Sequence, residues 1–176
     1  MNLQEKIRDM EPISWSADND HRKTFAQYPT GVTVVTTRDA FGAPVGMTVN
    51  SFTSVSLDPP LVSWSLRTSS QSRETFRTAK YFAINILSKE QTHLSQLFCS
   101  PDQNKFAEIP YIEGVKGTPL LSGCAAVIEC QRQDFVTWGD HDVICGRVLR
   151  HAYHDREPSA FLGGVYGGFS ARLNDA

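Results

Sequence analysis

The chain has 176 residues, 40% hydrophobic and 20% charged, with a formal net charge of -2. This is the size and balance of one globular domain that can bury a core without disulfides or metal ions. The charge offers no basic face for nucleic acid or an anionic membrane, and no apolar run is long enough to span a bilayer.

In chain order, residues 1–20 are polar and broken by Pro12, lack the apolar stretch of a secretion signal, and read as an arm of a cytoplasmic protein. Asp20 precedes a short helix from His21 to Tyr28, with Phe25 and Tyr28 on one side and Pro29 at its end. Val32, Val34 and Val35 read as a strand, Asp39 to Pro44 as a turn into a second strand, and Leu61 to Leu66 as a third. Ser70 to Ala79 reads as a helix with Arg73, Glu74 and Arg77 on its exposed side. Tyr81 to Leu87 reads as a strand with Phe82, Ile84 and Ile86 on one face. Ser88-Lys89-Glu90-Gln91 is a capping box opening a helix that carries Leu94, Leu97 and Phe98 and stops at Pro101. Residues 101–119 read as loop, and Ala125–Cys130 and Val143–Leu149 as strands flanking Gly139-Asp140-His141. Gly163–Gly168 reads as a turn or bulge needing permissive backbone. Many short strands and few helices predict a mainly β fold, a barrel rather than a doubly wound sheet.

The segment Gly46 to Val62 is unusual. Thr48, Asn50, Ser51, Thr53, Ser54 and Ser56 put donors and acceptors on short stems where a core strand carries apolar residues. Such a run suits a polar, planar ligand held by backbone and hydroxyl groups; it equally suits a half-exposed strand rich in threonine and serine. Cys99, Cys124, Cys130 and Cys145 form no C-x-x-C pair and read as buried thiols. His151 and His154 lack further ligands nearby, so no metal site is expected. The dinucleotide fingerprint, the Walker loop, the Gly-x-Ser-x-Gly elbow and His-Glu-x-x-His are all missing. Any nucleotide cofactor is therefore held outside the Rossmann plan.

Four separated pieces carry a resemblance. They are Thr48 through Pro60, Phe82-Ala83-Ile84-Asn85-Ile86-Leu87, Asn104-Lys105-Phe106, and Gly139-Asp140-His141 followed by Gly146-Arg147-Val148. In this order and spacing the chain resembles the short-chain flavin reductases, the reductase components of two-component flavin-dependent monooxygenases, from about Phe25 to Phe169. The resemblance implies a split β-barrel that binds FMN or FAD, with a few short flanking helices. It divides the chain into an arm (1–20), the barrel domain (21–170) and a tail (171–176). It also implies a homodimer with the flavin near the subunit interface, reduction of flavin by NADH or NADPH, and diffusion of reduced flavin to a partner oxygenase.

The same resemblance assigns roles. Met47, Thr48, Val49, Asn50 and Ser51, with Ser54, match the segment that hydrogen-bonds the flavin ring. Ser65, Leu66, Arg67, Ser70 and Gln71 match the next flavin-binding segment, where serine hydroxyls and a helix N-terminus hold the ribityl chain or phosphate. Arg67 equally reads as a surface charge. Lys105 stands where a cation pairs with phosphate, or is a solvated loop lysine; Phe106 packs beside the ring or in the core, and Phe82 in the core. His141 lies by the nicotinamide in the family and is the catalytic candidate, with Asp140 orienting it or setting the turn; a lone histidine after a strand also reads as a structural residue. Tyr166 matches a late aromatic near the nicotinamide. Hydride transfer from nicotinamide to flavin requires no acid–base residue at the reacting carbon, so no essential nucleophile is expected. Competing readings are a tight FMN-binding electron carrier or oxidase on the same barrel, and a non-catalytic interaction module.

Overall fold

The computed structural model describes residue 15, residues 21–101 and residues 104–168. The expected arm, Asp20 and the tail at 171–176 lie outside the described residues, Trp15 excepted. The short helix α1 (Arg22–Phe25) covers only the middle of the expected helix, and Phe25 and Tyr28 are exposed.

Twelve strands follow among the described residues. β1 (Thr30–Gly31), β11 (Ser159–Leu162) and β12 (Val165–Gly168) form a small sheet, and β7 (Tyr111–Glu113) pairs with β8 (Pro119–Leu121). The other seven are β2 (Thr33–Arg38), β3 (Pro44–Val49), β4 (Thr53–Leu57), β5 (Pro60–Arg67), β6 (Tyr81–Ile86), β9 (Ala126–Trp138) and β10 (His141–Tyr153). They form the main antiparallel sheet, in the order β3-β2-β6-β9-β10-β5-β4. The helices α2 (Arg73–Thr78) and α3 (Thr92–Cys99) flank it. This is the mainly β split barrel expected. The sheet curls without closing. β3 and β4 remain edges, and the bend at 50–52 carries the chain across the split. There the Ser51 hydroxyl donates to the Ser65 carbonyl at 3.2 Å and accepts the Ser65 N–H at 2.9 Å.

Two apolar cores explain the strand sequences. Val35, Val62, Trp64, Leu66, Phe82, Ile84 and Ile144 fill the inside of the curl. Val32, Val34, Leu87, Leu94, Phe98 and Leu121 pack between β2 and α3 on the other face. Successive strand residues point to opposite faces, so a strand between two cores is apolar throughout. Hence Val34 and Val35 are both fully buried. Phe82 is a core residue, edge-on to Trp64, as expected. Asn85 on the opposite face of β6 is fully buried and satisfied: its amide donates to the Val34 carbonyl and the Thr36 hydroxyl, and its oxygen accepts the Leu121 N–H.

The capping box stands as read: Ser88 and Gln91 bond reciprocally, opening a 3-10 turn (Lys89–Gln91) that leads into α3. Four expectations need correction. β9 and β10 are thirteen residues each, far longer than the apolar stretches suggest, because their ends pair with each other while facing solvent. Residues 101–119 contain β7 and the start of β8, not loop alone. Gly163 and Gly164 form the turn with positive φ, but 165–168 is a strand. Cys99 is exposed at the end of α3 rather than buried; Cys124 and Cys130 are buried, and burial pushes both thiols up to about 12.

Candidate functional site

The split opens into a cleft of about 920 Å³, within the range of small-molecule and cofactor sites. One wall is β3, about 17 Å long at about 3.4 Å per residue. As an edge strand it has no partner on its outer side among the described residues, so its backbone offers donors and acceptors along the cleft. Met47, Thr48, Val49, Asn50 and Ser51 all line it. Two of their hydroxyls are already engaged in structure. Thr48 Oγ1 donates to the Ser95 carbonyl on α3 at 2.7 Å, and Ser51 bridges the split to Ser65. The backbone, more than the hydroxyls, is what this wall offers.

α3 supports the wall from behind. Gly46 presses on Phe98 so closely that a Cβ there would stand 2.7 Å from the Phe98 ring and 3.2 Å from Phe106. Phe98 and Phe106 meet edge-on at 5.1 Å, and Phe106 continues edge-on to Tyr111. Phe106 thus both borders the cleft and packs against the second core. Lys105 lines the cleft while its ammonium donates to the Phe98 carbonyl at the end of α3 at 2.9 Å.

The facing wall comes from β5, β10 and the turn before α2. Ser65, Arg67, Ser70, Gln71 and His141 line it. In β5 the residues Val62, Trp64 and Leu66 face the core, so Ser63, Ser65 and Arg67 face outward; Leu66 is fully buried and cannot touch a ligand with its side chain. His141 pairs directly with Arg67 across the sheet. The hairpin turn before it depends on Gly139 at φ +59, and the Asp140 carbonyl accepts both the Thr68 N–H and its hydroxyl. His141 Nδ1 and Asp140 Oδ1 are 2.8 Å apart. That hydrogen bond is the main reason the Asp140 carboxyl lies below its usual range. It also orients the imidazole, leaving Nε2 as the nitrogen available to the cleft.

Behind this wall sits a group that sequence reasoning missed. Asp142 is fully buried on the core side of β10. It accepts Arg73 Nε at 2.6 Å, Arg73 Nη2 at 3.1 Å and the Thr137 hydroxyl at 2.7 Å. The Arg73 hydrogen bonds hold the Asp142 carboxyl below its ordinary range, and Arg73 is raised in turn. Arg73 is therefore a paired, partly exposed charge rather than a free one: it pins the first residue of α2 to the strand that carries His141. α2 starts at Arg73, so Ser70 and Gln71 precede the helix, and Ser70 Oγ accepts the Ser72 N–H at 3.2 Å.

Among the expected site residues, Ser54, Leu66, Asp140 and Tyr166 do not line the cleft. Ser54 is on β4 beyond the bend, and Asp140 acts through His141. The Tyr166 hydroxyl is 2.9 Å from Ser95 Oγ, and its ring packs on Phe161 in the second core. Gly46, Ser72, Thr75 and Phe98 line the cleft without having been singled out. Only Gly46, adjoining the polar run, carried a signal in the sequence.

The fold is thus a mainly β split barrel, with an edge strand facing an imidazole and a guanidinium across a cofactor-sized cleft. The chain belongs to the flavin reductase like domain family, whose pattern matches residues 25–170. It is 44% identical over 149 residues to the FMN reductase (NADH) SmoA of Agrobacterium fabrum, covering 85% of this chain and 84% of that protein. It is 41% identical over 127 residues to the reductase component of the flavin-dependent trigonelline monooxygenase of Acinetobacter baylyi, covering 72% of this chain. The chain spans 41% of the length of two of the curated relatives it matches. Its fold superposes on the NADH:FAD oxidoreductase SgcE6 of Streptomyces globisporus, solved with NAD and FAD fragments, with a TM-score of 0.82 and 33% identity; 87% of this chain and 93% of that one are covered.

Proposed function

We propose that this protein reduces FMN or FAD at the expense of NADH or NADPH and releases the reduced flavin to a partner oxygenase. The observation that carries the reading is the cleft itself, with a backbone edge on one wall and His141 beside Arg67 on the other. A flavin ring presents donors and acceptors along its pyrimidine edge, which the unpaired side of β3 complements. When bound together, the two cofactors supply the chemistry, a hydride passing from nicotinamide C4 to flavin N5. The chain's residues bind and orient. The β3 backbone N–H groups stabilise negative charge along the ring edge. Arg67 and Lys105 supply positive charge for phosphate groups. His141, oriented by Asp140, offers Nε2 to the carboxamide of the nicotinamide. The names of the relatives, an FMN reductase using NADH and a monooxygenase reductase component, support both the activity and the oxygenase partner.

The reading carries with it a homodimer. Val55 and Leu57 are 55% and 93% exposed on the edge strand β4, apolar surface on an open sheet edge of the kind a second copy covers. It also carries a cytoplasmic location, where reduced pyridine nucleotide is available; the four free thiols accord with that.

The test is steady-state oxidation of NADH and NADPH by flavin-stripped protein, with FMN, FAD or riboflavin added, on a sample whose mass is followed by light scattering. Oxidation that requires added flavin, by a particle of two chains, is the expected result. Flavin that stays bound and does not turn over free flavin makes the protein a carrier instead. Equal rates with and without flavin overturn the reading.

A further inference from the structure

The turn between β5 and α2 and the hairpin between β9 and β10 are separate in the chain but built as one unit. The turn brings Ser70, Gln71 and Ser72 to the cleft, and the hairpin brings His141. They are tied at both ends of the turn. At its start, the Thr68 N–H and hydroxyl both donate to the Asp140 carbonyl, at 2.9 and 3.1 Å. At its end, Arg73 donates Nε and Nη2 to the fully buried Asp142, which also accepts the Thr137 hydroxyl from the facing strand of the hairpin. Between the two ties, the Ser70 N–H donates to the Arg67 carbonyl at 3.0 Å and the Arg73 N–H to the Ser70 carbonyl at 3.1 Å, which leaves the turn little slack. None of Thr68, Arg73, Thr137 and Asp142 lines the cleft.

On the proposed function the turn meets the flavin and His141 meets the nicotinamide. We propose that Arg73 and Asp142 are positioning residues for the hydride transfer: with the Thr68 tie, their pairing fixes the spacing between the flavin-side turn and His141. That spacing sets how nicotinamide C4 approaches flavin N5. The role rests on the proposed reductase activity and deepens it. Reacting atoms must come to about 3–3.5 Å, and a misplacement of about 1 Å by a change far from the chemistry costs on the order of 100-fold in rate. A guanidinium giving two bonds to one carboxylate fixes angle and distance together, whereas a lysine ammonium acts as a point charge. Arg73 and Asp142 are 69 residues apart, so this one pair spans the two loops whose spacing matters.

The experiment uses flavin-loaded full-length protein as wild type, Arg73→Lys and Thr68→Val. Arg73→Lys keeps a positive charge beside Asp142 and loses the fork. Single-turnover flavin reduction at saturating NADH is expected to slow on the order of 10-fold. The flavin dissociation constant, from fluorescence titration, and KM for NADH stay near wild-type values. The long-wavelength absorbance that arises when NAD+ stacks on the reduced flavin weakens in the same variant, a readout of ring contact that needs no turnover. Thr68→Val removes one hydroxyl bond at the other end of the turn, keeps the backbone bond, and slows the step about 3-fold. A wild-type rate and absorbance in Arg73→Lys overturn the assignment. So does a loss of flavin affinity as large as the loss of rate, because that marks a collapsed turn rather than a shifted one. Should Arg73→Lys not fold, Thr68→Val decides alone, and a wild-type rate there overturns the assignment. A wild type that does not reduce flavin with NADH overturns the reductase reading itself, a result visible before any variant is made.

Discussion

The two walls of the cleft are held in place by different physics. The β3 wall rests on aromatic packing: Gly46 against Phe98, Phe98 against Phe106, and one hydroxyl bond from Thr48 into α3. The β5–β10 wall rests on a buried charge, with Asp142 taking two donors from Arg73 and one from Thr137. Packing fixes a surface through its volume and tolerates small rotations. A bidentate carboxylate–guanidinium pair fixes direction as well as distance. Each support matches what its wall has to do. On the proposed function the first lies flat along a planar ring, whereas the second aims an imidazole.

The largest expected effect comes from breaking the charged support. Asp142→Asn removes the carboxylate that takes two charge-assisted bonds from the one-third-exposed Arg73 guanidinium; Tm is expected to fall by about 6 °C at pH 7. The pH dependence sharpens the attribution. Asp142 is depressed in the folded state, so its stabilisation is complete above the unfolded carboxyl value of about 4 and is lost as pH falls through the lower folded value. Wild type and variant should therefore differ most between about pH 5 and 8 and converge in acid, as followed by thermal melts across that range. A gap that persists unchanged below about pH 3 assigns the loss to packing instead.

The aromatic support gives a smaller effect. A methyl at Gly46 meets the rigid, buried Phe98 ring, so Gly46→Ala is expected to lower Tm by about 5 °C and weaken flavin binding. Flavin titration of a refolded sample, with a melt on the same protein, measures both. If Gly46→Ala binds flavin as the wild type does, the β3 wall is more compliant than its packing indicates.

The smallest structural effect and the most specific functional one belong to His141. Its side chain is 37% exposed and, among the described residues, its ring is bonded to Asp140, so His141→Ala should leave Tm nearly unchanged. With the nicotinamide bond proposed for it, its loss is expected to lower kcat/KM for NADH roughly 10-fold. Stopped-flow kinetics with saturating flavin separates this from any change in flavin affinity. A collapse of flavin binding with unaltered NADH kinetics moves His141 to the flavin side.

What could be read in the sequence were the local features. The capping box at Ser88, the turn at Gly139 and the alternation of Phe82, Ile84 and Ile86 are set by neighbours a few residues away, and all stand in the structure. The polar run at Thr48–Ser51 announced the cleft, but not that Thr48 and Ser51 spend their hydroxyls on the fold. Arg73 and Asp142 are 69 residues apart, so an arginine on a helix face could only be read as solvated. The outer halves of β9 and β10 were missed because strand ends that pair with each other in solvent need no apolar pattern. Tyr166, matched by family position, serves here as a prop for α3 through Ser95.

The open side of β3 has a wider consequence. An exposed sheet edge is ordinarily a liability that invites other chains to add a strand. Here the bend at 50–52 and the Ser51 bridge to Ser65 turn that edge toward the cleft. On the proposed function, a planar heterocycle with a hydrogen-bonding rim takes the place of an eighth strand there.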